Sequence, residues 1–454
     1  MGGNMHPNAT AFMKRHWDTF LTRDDLEQMH DFGITHVRIP VGYWLLDWRQ
    51  EDGFVDGGLP YLTRAITWLQ ELSMKAVLDL HALPGAQTPH QSFTACADCY
   101  KDDDHKQFWK EPYLSRGKDS MRRLAQLIHS YNQDKRTRNV VIGLELVNEP
   151  DHRKWRELQA LYSEMVPQLR KILPSHACAL YLSFMNDCET SAAWMRKEII
   201  ADPVNWANVV YDRHLYHSFG DDDTPAGPMK ELWSAETTDA CKTCCRDRLV
   251  FEPLLGIPTV IGEWALTVDT FDTWEYKDTQ FLQRFWRDQL SLWANMNGEH
   301  SLGSFFFTFK IGPHPRIADY FINFDLMRLI QMHSLPPPAE VDTASICPRE
   351  NLHDCPKSPH NVDWDAFCTT FGLPKAQTAA ADRPHASKTI NAVFAYLMMV
   401  IALAVAMTLA VLLTNWARRP VAKDKLLVDP QDTTSAYGTI LRVQVPSTAY
   451  GAGV

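Results

Sequence analysis

The chain has 454 residues, more than one average domain, with 45% hydrophobic and 22% charged content, so a large folded core is expected. A formal net charge of -10 offers no basic stripe to neutralise phosphates, which excludes a nucleic-acid partner and leaves a neutral ligand compatible. The aromatic share of 11% serves a big core first and a sugar-binding cleft second.

In chain order, the start MGGNMHPNATAFMKRHW holds a lone sequon, Asn8-Ala9-Thr10, and no apolar run of signal-peptide length. From His36 onward, short apolar runs alternate with amphipathic stretches. The runs are HVRIP (36–40), KAVLDLH (75–81), VVIGLELVNEP (140–150), ALYLSF (179–184), VVYDRHLY (209–216), PTVIGEW (258–264) and SFFFTFK (304–310). Between them, 61–72 and 118–131 have helical periodicity. Strand and helix in this alternation predict an α/β fold with a parallel sheet covered on both faces. Seven such strands fall one short of a closed (β/α)8 TIM barrel. Polar residues stand at or near the ends of these runs: Arg38, His81, Asn148-Glu149, His214, Glu263 and Lys310. Apolar strands that finish in polar groups at one end describe a barrel with its site at the strands' C-terminal rim.

Ten cysteines cluster as 96/99, 178/188, 241/244/245 and 347/355/368. That number points to disulfides in an oxidising compartment, with a zinc site from Cys96-x-x-Cys99 and Cys241-x-x-Cys244 as the alternative. The insertions 95–110 and 221–245 carry five of the ten and are expected to shape the entrance of a cleft. The first 372 residues are thus taken as one domain with a Cys-rich extension, and 373–390 as a small, polar linker. Residues 391–414 are uncharged and, after Asn391, apolar; the 23 residues 392–414 at about 1.5 Å each give about 34 Å, enough for a bilayer core of about 30 Å. Arg418, Arg419, Lys423 and Lys425 follow, so the expectation is a single-pass cell-membrane protein, its folded part outside and residues 415–454 a disordered cytosolic tail.

Two carboxylates carry the chemistry. Glu149 ends an apolar run after Asn148, and Glu263 lies between Gly262 and Trp264 in the same setting. A carboxylate there needs a partner or a purpose, because desolvating it alone costs several kcal/mol. A pair on neighbouring rims suits acetal hydrolysis, one protonating the leaving oxygen and the other attacking the anomeric carbon. Rim salt bridges with lysine or arginine are the structural alternative.

The flanking residues add a resemblance. HWDTFLTRDD (16–25), GITHVRIPVGYW (33–44), AVLDLHALPGAQ (76–87), NVVIGLELVNEP (139–150), YDRHLYHSF (211–219) and VIGEW (260–264) resemble glycoside hydrolase family 5, in the branch of fungal-type exo-β-1,3-glucanases. The resemblance implies Glu149 as acid/base and Glu263 as nucleophile of a retaining β-glycosidase acting on β-glucan. It further implies Arg38 beside the nucleophile, Asn148 on the sugar 2-hydroxyl, and His81, His214 and Tyr216 completing the pocket. Glu149 is expected to have a raised pKa. Phe307 stands where the family has a tryptophan platform, and Ala82-Leu83 where it has Gly-Ala. The family's first strand, with its GGW-like motif, has no counterpart ahead of HWDTF, which leads to the expectation of a missing upstream segment. The sequence holds no convincing metal motif and no nucleotide loop, so neither metal nor cofactor is expected. Alternative readings are a β-glycosidase of other linkage or aglycone (β-1,6-glucan, glycolipid) and a catalytically weak glucan-binding receptor.

Overall fold

The computed structural model describes residues 6–89, 91–94, 108–216, 251–267, 279–295, 297–312, 322–341 and 442–445. Seven parallel strands form a curled sheet: β1 (His36–Gly42), β2 (Lys75–Ala82), β3 (Val141–Glu145), β4 (Ala179–Ser183), β5 (Val209–His214), β6 (Thr259–Trp264) and β7 (Ser301–Phe306). Each pairs with its sequence neighbour, His36 opposite Lys75 at one end of the series and Trp264 opposite Phe306 at the other. Each of the seven apolar runs of the sequence overlaps one of these strands. Four strands are shorter than their runs at the functional end: β3 stops at Glu145, β4 at Ser183, β5 at His214 and β7 at Phe306, so Asn148, Glu149, Tyr216 and Phe307 stand on loops.

The eighth position is filled by β8 (Arg442–Val445), antiparallel to both neighbours, with Val443 opposite Val37 and Phe306. It closes the barrel and pairs the two free edges that β1 and β7 would otherwise present. These four residues fall in the stretch read from sequence as a cytosolic tail. The linker at 373–390 and the apolar run at 391–414 lie outside the described residues; among those described, no helix is long and apolar enough to cross a membrane.

The helices cover the sheet because their buried residues recur every three or four positions. The helix Tyr113–Gln133 buries Gly117, Ser120, Met121, Leu124, Ala125, Ile128 and Tyr131. Another, Trp155–Arg170, buries Leu158, Leu161, Tyr162, Met165, Val166 and Leu169. Ahead of β1, the helix Arg23–Asp31 starts with a capping box, in which Thr22 and Asp25 bond each other's backbone N–H. Asp25 also takes the Lys310 ammonium at 3.3 Å. Lys310, one of the polar residues at a strand end, therefore has a structural partner.

Strand alternation sorts the residues into two cores. One set, including Val37, Ile39, Leu78, Leu80, Leu144, Leu180, Leu182, Tyr211, Ile261 and Phe306, packs with the helices. The other, Val77, Ala179, Tyr181, Val210, Val260 and Phe305, forms a separate apolar cluster inside the barrel. Two residues further along the same strands the interior becomes polar, with Asp79, Ser183, Asp212 and Gly262 above Val77, Tyr181, Val210 and Val260.

Cys178 and Cys188, expected among the disulfides, are free and buried. They flank the five residues of β4, a span of about 17 Å at about 3.3 Å per residue, beyond the reach of a disulfide. The other cysteines lie outside the described residues, as does most of the insertions 95–110 and 221–245.

Candidate active site

The site begins with an arginine inside the barrel. Arg38, on β1 and 1% exposed, reaches across the bore in three directions. Its Nε and one terminal nitrogen each donate to Glu145 Oε2 at 2.5 Å. The same terminal nitrogen lies 2.9 Å from Asn148 Oδ1 and 3.1 Å from Asp79, and the other meets Glu263 Oε1 at 3.4 Å. Burial alone would weaken its hold on the proton, but the carboxylates of Asp79, Glu145 and Asp212 outweigh that and keep it cationic.

Glu263 comes from the end of β6, 4% exposed. It accepts the Tyr216 hydroxyl at 2.7 Å on Oε2, and His214 Nδ1 lies 3.1 Å from Oε1. Tyr216 holds its proton, since burial raises its pKa far above the ordinary phenol value. Gly262, before it, has a packing reason: a Cβ there would collide with the Asp212 carboxylate.

Glu149 lies beyond β3 with φ +38, a left-handed conformation that favours glycine and marks local strain. Its side chain is 17% exposed and its Oε1 lies 2.6 Å from His214 Nδ1. One imidazole nitrogen thus faces both carboxylates, and oxygens of Glu149 and Glu263 come within 4.8 Å of each other. Burial pushes the Glu149 carboxyl up, but the His214 hydrogen bond and the charges of His214, His81 and Arg38 pull it further down. The net shift is downward, which corrects the expectation of a raised pKa. The reason is His214, brought in from a strand 65 positions away.

His81 is oriented by Asp79 Oδ2, 2.6 Å from its Nδ1, so Nδ1–H donation to that carboxylate leaves Nε2 as the ring's other contact point. Phe93 packs 5.1 Å from the His81 ring. Phe307 is half-buried, its ring edge-on to Tyr216 at 6.4 Å and to Phe324 at 6.2 Å.

All eight residues singled out from sequence, Arg38, His81, Asn148, Glu149, His214, Tyr216, Glu263 and Phe307, thus stand in one linked group. Sequence reasoning missed four that hold them. Gln87, 0% exposed, donates to the carbonyls of His81 and Asn148 at 2.8 and 3.0 Å and accepts from Leu83 N, tying two rim loops together. Asp79, Glu145 and Asp212 lie beneath the rim, each 0% exposed. The available signal is the spacing Asp79-Leu80-His81 repeated as Asp212-Arg213-His214, which puts an acid below each histidine on the inner face. Glu145, Asp212, His214 and Glu149, His214, Glu263 are each close enough to share an ion. His214 belongs to both triplets and Arg38 pairs with a carboxylate of each, which describes an ion-pair network and not a metal cage.

With this geometry established, known proteins provide a comparison. A family model described as cellulase (glycosyl hydrolase family 5) matches residues 3–299. A probable glucan 1,3-β-glucosidase A of Aspergillus fumigatus is 28% identical over 261 residues, 57% of this chain and 55% of that protein. A probable glucan endo-1,6-β-glucosidase B of the same organism is 25% identical over 307 residues, 64% of this chain and 70% of that protein. This chain therefore spans little more than half the length of the first relative. Among solved structures, a rutinosidase from Aspergillus niger has the same fold, with a TM-score of 0.53 and 15% identity over 72% of this chain and 86% of that one.

Proposed function

This chain belongs to glycosyl hydrolase family 5, and from that premise we propose that it is a retaining β-glycosidase of β-glucans in which Glu263 is the nucleophile and Glu149 the acid/base. The observation that carries the reading is that an oxygen of Glu149 and an oxygen of Glu263 lie within 4.8 Å of each other, in keeping with the short separation of retaining enzymes (about 5–5.5 Å). In the first step Glu263 attacks the anomeric carbon. The bond to the leaving oxygen breaks, and Glu149 gives that oxygen its proton. In the second, water attacks the same carbon, Glu149 takes the water's proton, and the ester to Glu263 breaks.

Arg38 and Tyr216 hold Glu263 ionised and aimed, and Asn148, whose Oδ1 is fixed by Arg38, keeps its amide NH2 for the sugar 2-hydroxyl. His81 and His214 line the pocket, and Phe307 offers an apolar face to the ring. Because the Glu149 carboxyl is pulled down, its protonated form, which the acid step needs, is favoured at acidic pH.

For the substrate, we favour exo cleavage of β-1,3-glucan with release of glucose, supported by the motifs of residues 16–264 and by the name of the first relative. The second reading, β-1,6-glucan, draws on the other relative, of which this chain covers the larger share. The test is turnover of laminarin against a β-1,6-glucan with the anomeric configuration of the product followed. Retention is expected, glucose from laminarin supports the first reading, and turnover of the β-1,6-glucan alone supports the second. Glu263→Ala is expected to lose at least about a thousandfold in kcat, with partial recovery on adding azide. Binding of laminarin without turnover by the wild type would instead favour a receptor.

The apolar run at 391–414 supports a single bilayer crossing with the barrel outside and the tail cytosolic. That arrangement and the pairing of Arg442–Val445 with β1 and β7 exclude each other, because the crossing puts barrel and tail on opposite sides. Protease cleavage of the tail from the outside in intact cells contradicts the anchor; protection until the membrane is permeabilised supports it.

A further inference from the structure

Beneath the rim, the barrel interior has a charge imbalance. Asp79, Glu145 and Glu263 each lie within 4.0 Å of the single Arg38 guanidinium, and Asp212 is near enough to act on it electrostatically. Asp79 has His81 as a second partner at 2.6 Å, and Glu263 has Tyr216. Glu145 has the two shortest bonds from Arg38. Asp212 is left with neither: His214 Nε2 stays 3.9 Å away, and no N–H or O–H of the described residues donates to either of its oxygens. Its carboxyl neighbour is Glu145: the two approach within 4.8 Å, and both Asp212 oxygens and Glu145 Oε1 are buried with no hydrogen-bond donor among the described residues. Two carboxyl groups can be hydrogen-bonded to each other only if one carries a proton. The chain is also shaped around this contact, since Gly262 has no Cβ where the Asp212 carboxyl sits.

We propose that Asp212 and Glu145 share one proton, resident on Asp212, and that this pair is a positioning device that keeps Arg38 and His214 where Glu263 and Glu149 use them. The proton belongs on Asp212 because Arg38 clamps Glu145 in its ionised form. The protonated Asp212 then donates to Glu145 and adds no further negative charge to a site 0% exposed. The groups facing the pair are Arg38 on β1, Asp79 on β2, Tyr181 on β4, His214 on β5, Glu263 on β6 and Tyr162 from the helix behind β4. Burial is the main reason that the pair holds its one proton above the ordinary carboxylate range. The sign of the linkage follows: stability from this proton is full below the unfolded Asp value of about 3.9 and is lost as pH rises through the folded value.

The effect on Glu263 and Glu149 rests on the catalytic reading above; the shared proton does not. Three measurements separate them. In wild type alone, infrared spectroscopy at neutral pH should show the carbonyl stretch of a buried protonated carboxylic acid, shifted in D2O and removed at alkaline pH. Asp212→Asn should lack that band while keeping the hydrogen bond to Glu145, and its Tm should decline less than wild type's as pH rises from acid to alkaline. On a β-glucoside, Asp212→Asn should keep kcat/KM within about tenfold of wild type, the scale of one neutral hydrogen bond, and Asp212→Ala should lose more. Absence of the band in wild type, or parallel Tm curves for wild type and Asp212→Asn, overturns the shared proton. Equal activity of Asp212→Asn and Asp212→Ala overturns the positioning role. A wild type inactive on every β-glucoside but with the band intact would remove the catalytic reading and leave the proton in place.

Discussion

The lower and upper halves of the barrel interior are built from the same strands, two residues apart, and follow opposite rules. Below, Val77, Tyr181, Val210, Val260 and Phe305 bury apolar surface, each large side chain contributing about 1.5–3 kcal/mol. Above, Asp79 on β2 and Asp212 on β5, with Arg38 and Glu145 from β1 and β3, bury charge around one guanidinium, which on its own destabilises. A fold selected for stability alone would continue the lower layer upward. Charge has been placed where hydrocarbon would serve better, directly under Glu149, His214 and Glu263, and that placement is the physical mark of a working site.

The comparison can be broken most forcefully from the upper half. Arg38→Met removes the shared cation and leaves Asp79 and Glu145 buried without it, so a loss of about 3–5 kcal/mol in chemical denaturation is expected, with activity lost as well. A stable, active variant would mean that the polar layer does not depend on Arg38. From the lower half, Phe305→Ala should cost a similar or slightly smaller amount, about 3 kcal/mol, by opening a cavity. The pH–rate profile of the folded fraction should keep its shape. A shifted profile would show that the two layers are not separable. The smallest effect is electrostatic: His214→Leu removes the hydrogen bond and the charge that do most to lower Glu149, leaving burial, which raises it, opposed by the lesser effects of His81 and Arg38. The alkaline limb of kcat/KM should move to higher pH as overall activity falls; a limb that stays put would take Glu149 out of the acid role.

How much of this was legible in the sequence divides along the same line. Strands β1 to β7 were readable because apolar runs of four or more residues between amphipathic stretches have few other solutions. Glu149 and Glu263 were readable because each follows an apolar run and precedes Pro or Trp inside a recognisable motif. Asp79, Glu145 and Asp212 were not, since each interrupts an apolar run, where a single charge gives no hint of its partner across the bore. The pairing of Arg38 with Glu145 joins residues 107 positions apart, and the approach of His214 to Glu149 joins residues 65 apart. Only three-dimensional closure of the sheet brings them together, and that closure reverses the expected direction of the Glu149 pKa. The strand Arg442–Val445 was not legible for another reason: four residues carry too little periodicity to stand out in a sequence.

The central claim, that Glu263 makes a covalent bond to the sugar while Glu149 moves the proton, is tested most directly by trapping that bond. The wild-type chain would be incubated with a 2-deoxy-2-fluoro-β-glucoside bearing a good leaving group, digested, and its peptides weighed. One fluoroglucosyl unit on the peptide containing Glu263, absent from Glu263→Gln, is the expected result. A sugar attached elsewhere, or turnover of an ordinary β-glucoside with inversion and no adduct at all, would contradict the account.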